Sequence, residues 1–285
     1  MRQLGGLLAG ALATIWIALA PARAQEIVRF DASEPNERER VQLRAELYRP
    51  GGAGPFPAVV LMHGCSGWKV VVRQALQDYA TDLQKRGYVV LNLDSFGARY
   101  YSGDEMCASN AKLRQALSYR TADAFDAARY LRAQPFVDGR NIFLMGQSNG
   151  GSVAMKAAQA STQETYRKRT GDPGFRAVVA YYPWCGVYVG NVSLAAPVQI
   201  FAGGQDNWVS AQECTAVRTE GARYDVVVYP QAAHSFDLDV AAHKYMGFQI
   251  GKDAGAASDS RNRMLAFFHS HLTNDRREAL LSATR

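Results

Sequence analysis

Short apolar runs recur along the chain, each closed by a polar or glycine-bearing turn and most followed by residues at helical spacing. Pro57–Met62 is continuously apolar, as expected of a strand buried on both faces of a parallel sheet. Residues 88–93, 176–182, 198–202 and 225–229 repeat the pattern, and residues 26–30 and 41–49 read as opening antiparallel strands around a charged turn. Helical spacing marks residues 70–86, 111–134, 210–221 and 258–272, while residues 96–110 read as an irregular loop. Strand and helix alternate without repeats or a linker, which predicts an α/β fold with a mostly parallel central sheet and helices on both faces.

The pattern breaks sharply at one place. Ile142-Phe143-Leu144-Met145 runs into Gly146-Gln147-Ser148-Asn149-Gly150, and Val153–Ala158 continues as a helix. Gly-x-Ser-x-Gly between a strand and a helix presents the serine hydroxyl above the sheet on a tight turn, with the helix N-terminus facing any oxyanion it creates. Ligands of such a sheet meet the loops at the carboxyl ends of its strands. Two later loops there carry Asp206 and His234, giving the order Ser…Asp…His. Ser148 is then the expected nucleophile, His234 its base and Asp206 the group that orients the imidazole. His243 is the rival base; His269 and His271 lie on the last helix, and Asp237 and Asp239 stand too close to His234 to be its acid. Met62-His63-Gly64-Cys65-Ser66-Gly67 supplies an oxyanion loop, whose Cys65 amide would act with that of Asn149.

The first residues change the compartment. Arg2, an apolar run from Leu4 to Ala20, and Ala22-Arg23-Ala24 form a signal peptide over residues 1–24, leaving one domain over 25–285. The alternative is an uncleaved anchor. Cleavage predicts an exported protein, periplasmic or secreted, with no membrane attachment. Cys65, Cys107, Cys185 and Cys214 all lie in the exported part. An even number there suggests two disulfides in one of three pairings, of which Cys65–Cys107 with Cys185–Cys214 is favoured because each would join segments following neighbouring strands near Ser148. No two cysteines are close enough in sequence to read as a metal site.

Charge adds little. The formal net charge is +6, and losing Arg2 and Arg23 with the leader brings it to +4. The one basic cluster, Arg167-Lys168-Arg169, lies beside Gly171-Asp172-Pro173-Gly174 and reads as a solvated loop, so no nucleic-acid partner is expected. Nothing in the pattern sets an oligomeric state.

The chain resembles the dienelactone hydrolase family of α/β-hydrolases through His63-Gly64, Asp94-Ser95-Phe96-Gly97-Ala98-Arg99, Gly146–Gly151, Asp206 and His234-Ser235-Phe236. The resemblance implies Arg99 as a carboxylate-binding residue. It departs at three points: Ser148 replaces a cysteine nucleophile, Gly64 stands where a glutamate governs that thiol, and Leu238 stands where a second arginine would be. The expectation is therefore a serine hydrolase of a small-molecule ester or lactone, working through an acyl-enzyme without metal or organic cofactor. Trp68, Tyr100, Trp184 and Trp208 are candidate pocket residues beside Arg99. The rival readings are a peptidase-like amide hydrolase and an inactive hydrolase fold that only binds.

Overall fold

The structure is a computed structural model that describes residues 25–34 and 40–283. The signal peptide expected over residues 1–24 lies outside the described residues. Eight strands form the central sheet: β1 (Glu26–Asp31), β2 (Gln42–Tyr48), β3 (Phe56–Met62), β4 (Val89–Asp94), β5 (Val137–Gln147), β6 (Val178–Tyr181), β8 (Val198–Gly203) and β10 (Tyr224–Tyr229), in the order β1-β2-β4-β3-β5-β6-β8-β10. β2 pairs antiparallel with both β1 and β4, and every other pairing in this sheet is parallel.

Alternation along the strands divides the core in two. Ala58, Val60 and Met62 of β3 face one layer while Val59 and Leu61 face the other, and Ile142 and Leu144 of β5 oppose Phe143 and Met145 in the same way. On the first face pack α3 (Asn110–Arg132), α4 (Asn149–Ala158) and α6 (Ala211–Ala216); on the second pack α1 (Val70–Lys85) and α7 (Ala254–Ser270). The fold is that of the α/β-hydrolases, a large mostly parallel sheet sandwiched by helices.

Some segments depart from the sequence expectation for local reasons. Residues 96–110 hold a 3₁₀ turn at Gly97–Arg99 and α2 (Gly103–Cys107), whose first turn is capped by the Ser102 hydroxyl accepting from the Glu105 amide. The helix expected over 210–221 stops at Ala216, because Arg218–Gly221 forms β9, pairing with β7 (Asn191–Leu194). The Arg167-Lys168-Arg169 cluster is the last turn of α5 (Ala160–Thr170), ended by Gly171 at φ 75°. Three cations there complement the helix carbonyl end. A hairpin of β11 (His243–Tyr245) and β12 (Phe248–Ile250), and α8 (Asn274–Ala283), follow in the last part of the chain. No helix among the described residues is long and apolar enough to cross a membrane.

Candidate active site

Ser148 joins β5 to α4 at φ 52° and ψ −119°, a strained conformation for a residue with a side chain. Its flanking glycines are required by contact. A Cβ on Gly146 would lie 2.0 Å from the Gly150 carbonyl oxygen, and one on Gly150 would lie 2.3 Å from that of Met62. Strand, turn and helix therefore meet backbone to backbone, which projects Ser148 from the sheet.

The other two loops deliver their side chains to it. His234 Nε2 lies 3.0 Å from Ser148 Oγ, and His234 Nδ1 lies 2.6 Å from Asp206 Oδ2. Asp206 uses its other oxygen, Oδ1, to accept the amides of Trp208 and Val209 at 2.9 and 3.0 Å. The carboxylate is fixed by its own loop, and His234 is buried. With Nδ1–H donated to Asp206, Nε2 is the nitrogen left to take a proton from the serine. His243, the rival base, sits exposed on β11 with Nδ1 2.8 Å from the Ala241 carbonyl oxygen. It lines the same cleft as His234, but it is His234 that contacts the serine hydroxyl.

The oxyanion loop runs alongside. A Cβ built on Gly64 would stand 3.3 Å from Ser148 Cβ, and both Cys65 and Asn149 line a cleft that opens on Ser148. His63 does not face that cleft. It is buried, accepts the Ser95 amide on Nε2 at 3.2 Å, and has Nδ1 2.7 Å from the Gly64 carbonyl oxygen. Burial, reinforced by the Arg120 charge, holds its pKa well below the usual value, so the ring is neutral. Disulfides tie down both edges of the site: Cys65–Cys107 links the oxyanion loop to α2, and Cys185–Cys214 links the turn after β6 to α6, which follows the Asp206 loop.

Two clefts meet at Ser148. The first, about 140 Å³, contains His234 and has almost wholly apolar walls, including Val72, Leu238, Val240 and Ile250. The second, about 210 Å³, is more polar and lies between Leu113, Leu117, Trp184 and Trp208, with Arg114 on its wall. Trp208 belongs to both. Its indole stacks on Phe248, with centroids 4.6 Å apart, and lies 5.0 Å from the His234 ring.

Three expected pocket residues sit elsewhere. Arg99 lines neither cleft: it is buried and forms two 2.8 Å bonds to both carboxylate oxygens of Asp123, a third to the Ser95 carbonyl oxygen, and stacks on Tyr119. A guanidinium so occupied has no fork left for a substrate carboxylate. Trp68 packs against the guanidinium groups of Arg44 and Arg73, 5.4 and 4.8 Å from its ring centre, and Tyr100 is 93% exposed at φ 59°. Two residues have roles at the site that the sequence did not show, one of them Asp237, considered only as a triad acid and set aside. Arg120 and Asp237 are buried charged groups bonded to residues that flank Ser148. Arg120 shares the amphipathic spacing of α3 and Asp237 sits in the His234 loop, so nothing in the sequence pattern set either apart.

The chain is similar to several known hydrolases. A Yersinia pestis protein provisionally named a carboxymethylenebutenolidase is 24% identical, over 81% of this chain and 84% of its own length. Acyl-coenzyme A thioesterase 5 of Mus musculus is 25% identical over 83% of this chain, which spans 65% of that protein. Among solved structures, a dienelactone hydrolase-like promiscuous phosphotriesterase from metagenomic libraries superposes with a TM-score of 0.63 at 20% identity, covering 88% of this chain and 100% of that one. Esterase 2 of Thermogutta terrifontis with propionate bound gives 0.57 at 18%, covering 86% and 93%. The model of the dienelactone hydrolase family matches residues 43–272, most of the chain. The protein thus belongs to the dienelactone hydrolase family, as a hydrolase of the ester or thioester type.

Proposed function

We propose that this protein is an exported serine hydrolase that cleaves a carboxylic ester or lactone through an acyl-enzyme on Ser148. The observation that carries the reading is the unbroken line from Ser148 Oγ to His234 at 3.0 Å and on to Asp206 at 2.6 Å. In this scheme Ser148 Oγ attacks the carbonyl carbon as His234 Nε2 takes its proton, and the carbonyl oxygen becomes an oxyanion held by the Cys65 and Asn149 amides. Collapse expels the alcohol, which receives the proton from His234. Water then adds to the acyl carbon with His234 again as base, and the acid leaves with Ser148 restored. Water is the sole co-substrate, and Asp206 holds the imidazolium that forms twice per cycle.

The clefts suit the two halves of such a substrate. The leaving oxygen must be within reach of His234, so the apolar cleft containing that residue receives the alcohol portion. The acyl portion then lies towards Asn149, between Trp184 and Trp208. The apolar walls of the first cleft favour an aromatic or branched alcohol over a charged one. Export is supported by the leader-like residues 1–24 and by the two disulfides. The Thermogutta terrifontis esterase, which shares the fold, has been captured phosphorylated by paraoxon, a reagent that the proposed serine should also meet.

The test is kinetic. Ser148→Ala and His234→Ala should each remove most turnover of a p-nitrophenyl ester, and the double variant should be no worse, because the residues act as a unit. Asp206→Asn should be less severe. Turnover that survives in His234→Ala and disappears in His243→Ala contradicts the assignment.

A further inference from the structure

Arg120 is fully buried on α3, with its guanidinium aimed at the two segments that flank the serine. Nη1 donates to Asn149 Oδ1 at 2.5 Å, and Nη2 donates to the His63 carbonyl oxygen at 2.6 Å. The Asn149 amide group in turn donates to the Leu113 carbonyl oxygen at 3.4 Å, and the guanidinium packs 4.8 Å from the centre of the Phe96 ring. One side chain therefore spans the start of α4 and the loop that leads to Cys65.

Its charge has no direct ion-pair partner: among the described residues no carboxylate lies within ion-pair distance of Arg120. Asp123 and Asp94 act on it only from farther off, Asp123 giving both oxygens to Arg99 and Asp94 Oδ1 accepting the amides of Phe96 and Gly97. His63 and Tyr119, which also face it, are uncharged, since burial lowers the first pKa and raises the second. Burial lowers the Arg120 pKa to about 10, which leaves it a cation at neutral pH. Burying an unpaired charge is costly. A fold that retains one behind a site where negative charge develops gains from it in the transition state.

We propose that Arg120 is the positioning residue of the oxyanion site, fixing the Asn149 and Cys65 segments from behind and holding a positive charge that the reaction's oxyanion compensates. The proposal rests on the ester-hydrolase reading above.

The experiment measures kcat, KM and melting temperature for a neutral p-nitrophenyl ester in Arg120→Met and Arg120→Lys, with Ser148→Ala alongside. Arg120→Met should lower kcat about a hundredfold with little change in KM. Arg120→Lys keeps the charge but cannot fork between two acceptors, so it should recover part of kcat. A lower melting temperature with kcat unmoved would show a purely structural arginine and overturn the proposal. So would a lysine variant whose kcat is no better than that of the methionine variant. If only Arg120→Lys folds, wild-type kcat in that variant overturns it and a roughly tenfold loss supports it. Turnover persisting in Ser148→Ala refutes the hydrolase reading and this proposal together, whereas its loss there beside an unaffected Arg120→Met refutes only the role of Arg120.

Discussion

Tyr182 donates its hydroxyl proton to Asp237 at 2.6 Å while its ring lies against the imidazole of His234, centroids 4.7 Å apart. Asp237 also accepts from the Tyr79 hydroxyl at 3.0 Å and from Gln147 Nε2 at 2.7 Å, and Gln147 immediately precedes Ser148. One buried carboxylate thereby ties together the end of β5, the residue after β6, α1 and the His234 loop. Burial pushes its pKa upward, opposed by the three donors.

Removing that hub should cost stability first. Asp237→Ala leaves three buried donors without a partner and should lower the unfolding free energy by about 3 kcal/mol or more, at roughly 1–3 kcal/mol per stranded group. Asp237→Asn keeps an acceptor oxygen and the volume, so it should lose less. Urea unfolding of the two variants checks the order, and equal losses would contradict it.

Arg99 and Asp123 form a buried two-bond ion pair, 3% and 0% exposed at the side chain. Arg99→Ala should destabilise by about 3–5 kcal/mol by leaving Asp123 uncompensated. It should also leave the ratio of kcat/KM between an anionic ester and its neutral analogue where it was. A drop confined to the anionic ester would return Arg99 to the substrate pocket.

The disulfides should differ in what they protect. Each should contribute about 2–4 kcal/mol of stability, seen as a lower denaturation midpoint after reduction. Cys65 carries a proposed oxyanion amide, and Cys185 lines neither cleft. Cys107→Ser should therefore lower kcat more than Cys214→Ser does, compared at a temperature where both variants are folded. The reverse order in esterase assays would detach the oxyanion loop from the Cys65–Cys107 bridge.

His63 makes the fold acid-sensitive. Its ring is neutral and buried in the folded chain, whereas the unfolded chain takes up a proton near the ordinary value of 6.5. A depressed folded pKa gives stability that is present above that value and lost as pH falls below it, by up to about 1.4 kcal/mol per pH unit for one proton. His63→Gln should be less stable at neutral pH but show a shallower decline below pH 6.5. Equal slopes in chemical unfolding at several pH values would contradict this.

Most of the sheet was legible because its strands are apolar runs bounded by turns, and the Gly146–Gly150 turn because packing admits little else there. Ser148, Asp206 and His234 were singled out by their places after β5, β8 and β10, at the carboxyl ends of parallel strands, and their side chains lie in hydrogen-bonded line. The hairpin at residues 243–250 could not be read, since His243-Lys244-Tyr245 has no apolar alternation. Nor could the partner of Arg99: Asp123 lies 24 residues on, in a helix whose buried face mixes alanine with charged residues. Arg120, and the role of Asp237 as a hub, were hidden for a related reason, because a buried charge is recognised by its three-dimensional partners and sequence spacing does not reveal them.

The central claim is that Ser148 is a covalent nucleophile. Incubation with a fluorophosphonate, followed by intact-mass and peptide mass spectrometry, tests it directly. The account predicts a single adduct per chain on the peptide containing Ser148, lost in Ser148→Ala and greatly slowed in His234→Ala. An adduct that maps to another residue, or that forms undiminished in Ser148→Ala, would contradict it.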